Sequence, residues 1–445
     1  MLNCNRFFAL HQLPTFMDYS CFFLFFTSIF LGSLSTYGAG FQLGEHSANA
    51  IGRSLAGYGV VGDDASAVFF NPAGLVLLQR PTVQNGLFYI TSRFGFENQG
   101  SRQSLAGLSV PSRGIDDDGG RDGLAPSLYA LAPLGERARV ALGITAPFGL
   151  VTDYDGDWVG RYHALRSELK TIDINPSFAY RVSRQLSLGA GVSVQYADAT
   201  LSRAVFRGNQ LADGFARVEG DDWSLGYDLG LMFEWDERTR FGAGYRSKVD
   251  HTLRGTRKLE GVPGQPSVIG GEAELNLPDT LYLGAYRRLN ERLALTGGAR
   301  WTHWSRFQET RIRFADGSPD ELTVQNWEDS WTFSVGLDYA YHPHWTLRAG
   351  YGYDQTPVPS ARFRTPRIPD NDRHWLSVGA SYRLNEKWDF SVGYSHVFVD
   401  TARIESNVDL VPENIAPTGT FTDTLIGEYD TPGADSIGTQ LRYAF

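Results

Sequence analysis

Thiols are nearly missing from this chain: it has two cysteines, Cys4 and Cys21, and both fall within the first 38 residues. That opening stretch carries an apolar core, Cys21–Leu34, too short to cross a bilayer comfortably, and the small residues Ser35, Thr36 and Gly38 follow it. It reads as an export signal over residues 1–38, cut between Gly38 and Ala39, with Arg6 as its one basic side chain. A start at Met17 would leave Asp18 and no basic residue, so the upstream start suits export better. Removal of the signal takes every cysteine with it, which excludes disulfides, thiolate metal sites and cysteine nucleophiles in the mature chain. An excess of basic charge is lacking too. The formal net charge of −10 argues against a nucleic-acid partner, because phosphate binding wants the opposite sign. Beyond the signal no run of 18 apolar residues occurs, so no membrane helix is expected.

What the chain does have is aromatic residues, 13% of the total, and 49 glycines. Both are plentiful without long hydrophobic runs, as a transmembrane β-barrel requires, since each strand shows lipid only every second residue. The alternation is explicit. From Leu186 the even positions read Leu186, Leu188, Ala190, Val192, Val194 and Tyr196, against Ser187, Gly189, Gly191, Ser193 and Gln195. Similar patterns begin at Trp331, Trp345 and Leu376, and the chain closes on Leu441, Tyr443 and Phe445. Short connections fall near 135–137, 183–185, 236–240, 290–291, 342–344 and 385–387. Long polar ones fall at about 98–122, 149–167, 208–220, 254–270, 311–325, 355–371 and 401–430. Six short turns alternating with seven long loops join 14 strands, an even number with short inner turns and long outer loops, as in the outer membrane of a Gram-negative bacterium.

The stretch 39–78 does not share this period. Ala48, Ile51 and Leu55, then Ala65, Val68 and Phe69, fall three or four apart, which suits short helices, with Ser47 and Asp63 as N-caps. Asn71-Pro72-Ala73 breaks the second group and marks a kink. Fourteen strands enclose a lumen too wide for side chains alone to fill. Residues 39–82 are therefore expected inside it as a plug, with 83–445 as the barrel.

The segments AGFQLGEHSANAIGRSLAG and DDASAVFFNPAGL resemble the opening of the FadL family of long-chain fatty-acid and hydrocarbon channels. Residues 174–196, 277–308, 326–339 and, most specifically, 354–396 are similar to later hairpins of that family. The resemblance covers the mature chain. It implies a monomeric barrel plugged by an N-terminal hatch, with passive uptake of hydrophobic molecules, long-chain fatty acids foremost, that leave sideways through a gap in the wall. It also implies basic side chains for an acyl carboxylate, which match Arg203 and Arg311. Strand parity places Arg203 on the lumen face. The same count from Leu293 and Leu295 turns Arg311 outward unless a bulge intervenes, and gives Arg300 and Arg306 the inward parity. An apolar tube for such a ligand would be lined by Phe41, Leu43, Val68, Phe69, Phe70 and Leu75. Alternatively these six residues pack the plug against the wall. Asn71, Pro72 and Ala73 are expected to kink the hatch as it moves, and Asp329, at a strand end, to hold it by accepting backbone N–H groups.

Other constellations carry less. Asp153–Asp157 misplaces the glycine of a calcium loop and lacks its closing glutamate, and both it and Asp116–Asp118 read as decoration of outer loops. Gly189-Ala-Gly191 and Gly242-Ala-Gly244 lack the third glycine of a dinucleotide fingerprint and read as small inward residues of strands. His342-Pro-His344 reads as a turn. No cofactor or metal is implied. Three alternatives stand beside fatty-acid uptake: a hydrocarbon channel of the same family, a loop-borne adhesin or receptor, and an outer-membrane lipase. The partners expected are the hydrophobic ligand and the surrounding outer-membrane lipid and lipopolysaccharide.

Overall fold

Strands that are apolar on one face and polar on the other satisfy both in a bilayer by closing into a ring, which leaves no unpaired edge in the hydrocarbon. The computed structural model describes residues 39–208, 211–411, 417–430 and 432–445; the expected export signal and its cut site lie outside the described residues. The wall begins with β1 (Thr82–Arg93), β2 (Gly123–Leu134), β3 (Ala138–Thr145, resuming as Gly149–Asp153), β4 (Arg166–Arg181) and β5 (Leu186–Val205). It continues with β6 (Gly214–Asp236), β7 (Thr239–Arg246 and Val249–Glu260), β8 (Val268–Leu277 and Thr280–Arg288) and β9 (Leu293–Thr302 and Glu309–Phe314). β10 (Glu321–Val324 and Ser330–His342), β11 (Trp345–Asp354), β12 (Arg373–Arg383), β13 (Trp388–Val399) and β14 (Gly433–Ala444) complete it. Each pairs antiparallel with its neighbours, and β1 closes the ring against β14 from Thr82↔Ala444 to Arg93↔Gly433. Fourteen strands enclose the lumen.

The faces divide as alternation demands. Along β6, Trp223, Leu225, Tyr227, Leu229 and Leu231 are exposed toward lipid, while Asp228 is buried inside, and Ser187, Ser193 and Gln195 of β5 are buried on the lumen side. Six of the seven expected loops turn out to be partly strand, those at 254–270 and 311–325 among them. Val249–Glu260 pairs with Val268–Leu277, and Glu309–Phe314 with Glu321–Val324, so the connections shrink to 261–267 and 315–320. These extensions carry Arg254, Lys258 and Arg313 on their exposed outer face, and so lack the apolar outward face by which alternation was read. Over the outer end, loop strands Phe96–Asn98, Arg102–Leu105, Leu108–Pro111, Ala402–Asp409 and Phe421–Tyr429 make a second sheet around Phe96, Trp158, Leu425 and Tyr429.

Residues 39–78 lie inside the lumen, nearly all buried. Two single-turn helices, α1 (Ala48–Ile51) and α2 (Ala67–Phe70), precede a 3-10 turn at Pro72–Leu77. Ser47 caps α1 through its hydroxyl, which accepts from Ala50 N–H at 3.1 Å. Asp63 does not cap α2, whose N-cap is Ser66. Its carboxylate instead binds Arg53 at 2.8 Å and Arg348 at 3.3 Å, a long-range demand that outweighs a local one. Asn71 is extended, with φ −163°, and its side chain caps the following turn by accepting from Ala73 N–H at 3.1 Å; Pro72 occupies the first turn, where a missing N–H costs nothing. Wall glycines admit this turn: a Cβ on Gly189 would overlap Pro72 and Ala73, and one on Gly244 would overlap Phe70 O. Gly189 and Gly244 thus form a seat.

Candidate functional site

Above the plug the strand extensions border about 1250 Å³ of atom-free space that includes its open mouth. Its walls are mostly apolar, with Leu150, Leu169, Leu201, Leu253, Leu275 and Phe307 prominent, and Phe41 forms its boundary with the plug. Phe41 is held edge-on by Trp304 (4.8 Å) and Phe307 (5.4 Å), with Trp327 at 5.8 Å and Phe148 at 6.0 Å. Toward the outside the lining becomes charged. Arg203 reaches in from β5 and pairs with Glu321 of β10 at 3.0 Å. Arg367, from the loop after β11, donates to Ser167 Oγ at 3.0 Å and to the carbonyls of Arg166 and Ser202. Burial, and then the charge of Arg203, pull that guanidinium down to about 10. Glu168 also borders the space and is engaged by Arg166 (2.8 Å) and Lys170 (2.5 Å).

The expected site residues separate. Arg203 lines the cavity. Arg311 does not: it lies toward the exterior, paired with Glu309 at 2.7 Å and Asp320 at 3.1 Å. Arg300 points inward but is buried against Asp354 at 3.2 Å, and Arg306 turns out to Asp250 at 3.0 Å. Of the six apolar residues, only Phe41 borders the large cavity. Leu43 packs with Ala48 and Ile51, Val68 and Leu75 pack against Tyr129 and Met232, and Phe69 and Phe70 pack against Tyr282. Asn71 donates to Leu231 O at 3.0 Å, which ties the kink to the wall. Asp329 accepts from Ser305 N–H rather than from the plug. Holding the plug's head falls to Asp354, which accepts from Ala39 N–H at 2.9 Å, and Asp370, which accepts from Gly40 N–H at 3.0 Å. Both acids belong to the stretch 354–396 that carried the most specific resemblance; Glu321 had no such flag.

The wall is incomplete beside the plug's head. β2 pairs with β3 over Leu128–Leu134, but among the described residues its Gly123–Ser127 have a ladder only to β1. β3 breaks at Ala146–Phe148 and resumes against β4. The plug occupies the break: Leu43 N–H donates to Pro147 O at 2.9 Å, and Gly149 N–H to Phe41 O at 3.1 Å. A smaller recess, bordered by Gly40, Phe94 and Val399, shares Leu150 and Ile368 with the large cavity. The acidic loop clusters staple backbone instead of forming a cage. Asp116 accepts from Asn98 N–H, Asp118 from Phe94 N–H and Asp117 from Asp155 N–H.

Residues 29–445 match the model of the family described as outer membrane protein transport protein (OMPP1/FadL/TodX). The chain belongs to this family. Membership makes it an outer-membrane transport channel and not an enzyme. The long-chain fatty acid transport protein of Escherichia coli O6:H1 is 29% identical over 405 residues, spanning 83% of this chain and 89% of that protein. Outer membrane protein P1 of Haemophilus influenzae is 30% identical over 410 residues, 83% and 88% of the two chains. Among solved structures, a Pseudomonas aeruginosa FadL homologue superposes with a TM-score of 0.81 at 25% identity, over 92% of this chain and all of that one. The Pseudomonas putida toluene transporter TodX shares the fold at a TM-score of 0.66 and 18% identity, over 93% and 99%.

Proposed function

We propose that this FadL-family channel takes up hydrophobic carboxylates, long-chain fatty acids foremost, by passive diffusion through the cavity above the plug. One observation carries the reading: an apolar space with a guanidinium, Arg203, at its outer end and a plug side chain, Phe41, at its inner end. An acyl chain gains by leaving water for such walls, at about 25 cal/mol per Å² buried. Its carboxylate finds in Arg203 a donor able to bind it in two-pronged fashion. The proteins named as long-chain fatty acid transporters support the same cargo.

In this reading residues 39–82 act as the hatch, with Asn71-Pro72-Ala73 as its kink, and the mature chain starts at Ala39. Cargo passes Leu150 and Ile368 and leaves sideways where β2 and β3 part, once Phe41–Leu43 let go of Pro147 and Gly149. The chain works as a monomer, surrounded by lipid and lipopolysaccharide. Replacing Arg203 by alanine should weaken oleate binding about tenfold and leave a hydrocarbon unaffected. Equal loss for oleate and toluene, or none for either, refutes the carboxylate site. Deleting 39–78 should alter uptake while the heat-resistant barrel persists; unchanged uptake rejects the hatch. A second reading, a hydrocarbon channel, draws on the Arg203–Glu321 pair, which satisfies the guanidinium internally and leaves the remaining wall apolar. Growth on oleate against growth on toluene separates the two.

A further inference from the structure

The ligand site contains its own rival for the ligand. We propose that Glu321 is a specificity-determining counter-ion, a carboxylate of the chain that competes with the ligand's carboxylate for Arg203. The inference rests on the reading of Arg203 as the group that meets the cargo.

Three observations converge on it. Glu321 lines the same cavity as Arg203 and takes one oxygen to that guanidinium at 3.0 Å, with both side chains partly exposed to the space. Of the other acids along the lining, Glu168 is engaged by Arg166 and Lys170, Glu219 by Lys258 and Arg217, and Glu274 by Arg313, while Glu272 is exposed. Finally, Glu321 lies within the electrostatic reach of three cations, Arg203, Arg367 and Arg257, the first two of which line the cavity with it. Arg257 stands over the Phe314 ring at 4.3 Å, buried to 8% exposure, and its Nε and Nη2 have no hydrogen-bond partner.

Three guanidiniums gather around this one carboxylate, and that local excess of cations favours an anionic head group. The carboxylate already present makes that preference weaker than the arginines alone would give. A fatty acid must outbid Glu321 for Arg203 or share the cluster with it. A hydrocarbon makes no such demand and leaves the pair intact. Glu321 thereby tunes how far the channel favours acids over uncharged cargo, a role for which an ion pair on the lumen face is better placed than one on the rim.

The test uses the full chain in non-ionic detergent, with heat-shifted migration on gels as the check on folding, titrated with oleate and with methyl oleate. Glu321→Gln, close in shape and without charge, should bind oleate about threefold tighter or more, with methyl oleate unmoved. Glu321→Ala should do the same. If neither variant binds oleate more tightly, or if both esters and acids tighten together, Glu321 is a packing residue and the proposal falls. Arg203→Ala separates this from the broader reading. When it weakens oleate while the Glu321 variants change nothing, only the counter-ion role is lost. When it too changes nothing, the carboxylate site itself is wrong.

Discussion

Asp354 accepts the main-chain N–H of Ala39 at 2.9 Å, across 315 positions of sequence. The same buried carboxylate takes Arg300 at 3.2 Å and the Thr332 hydroxyl. One acid therefore neutralises a wall cation and pins the first residue of the plug. Asp354→Ala strands Arg300 in the lumen, a change that costs about 3–5 kcal/mol when a buried pair loses one member. The loss should show as faster hydrogen exchange over residues 39–43, while the barrel keeps its heat-shifted migration. Unaltered exchange there would mean that Asp370 holds the head alone.

Gly244→Ala is the sharpest probe of the plug's seat. In an exposed strand the change from glycine to alanine is favourable by about 0.5–1 kcal/mol. Here the added Cβ would overlap Phe70 O, a backbone atom that cannot swing aside. The sign should reverse, with overpacking costing about 1–3 kcal/mol and displacing the Asn71-Pro72 turn. Proteolysis of the plug in membranes is a direct measure, and a variant as resistant as the parent contradicts this seat.

Two adjacent plug residues oppose one another in pH. Burial pushes the Glu45 carboxyl up to about 7, against the pull of Gly44 N–H, Arg300 and Arg373. Burial and then Arg246 push the neighbouring His46 down to about 3. Between 4.5 and about 7 the seated plug holds a proton on Glu45 that the exposed chain releases, so stability falls as pH rises. Between about 3 and 6.5 the exposed chain protonates His46 and the seated plug does not, so stability rises with pH. The slopes cancel where they overlap, from 4.5 to 6.5. Glu45→Gln should unmask the histidine, giving a plug that loosens on acidification by up to about 1.4 kcal/mol per pH unit. Hydrogen exchange of residues 44–51 at pH 5 and pH 7 tests it.

These groups show where sequence reading reaches and where it stops. Period-two alternation along Leu186–Tyr196 exposes the lipid face because bilayer and lumen impose opposite chemistry on neighbouring residues. The same parity turns Arg203 inward and Arg311 outward. Above the bilayer that contrast vanishes: Arg254, Gly255 and Thr256 look like loop and are strand. Reading 311–325 as loop hid the inward side of Glu321. Asp63 resembles a cap in its local sequence, yet its partner Arg348 lies 285 residues away. Local pattern places a strand, whereas charge pairing across a barrel needs the ring closed first.

Arg53 joins the plug to the wall through an ion-pair cluster, and its removal should separate plug stability from barrel stability. It lies at the end of α1, with 3% of its side chain exposed, and binds Asp63 of the plug at 2.8 Å and Asp338 of β10 at 3.1 Å. Arg348 of β11 reaches the same two carboxylates, each at 3.3 Å. Arg53→Ala leaves two partly buried acids sharing one cation, Arg348. The plug should lose about 3–5 kcal/mol of its hold, by the same logic as any broken buried pair. The strands, held by their own ladders, should not. Cells carrying the variant are expected to admit bulky polar antibiotics that the parent excludes, while the purified protein still migrates as a folded barrel. Arg53→Lys keeps the charge but not the forked geometry and should fall between. An antibiotic barrier equal to the parent's in both variants would show that packing alone, through Ile51 and Leu55, keeps the plug in place.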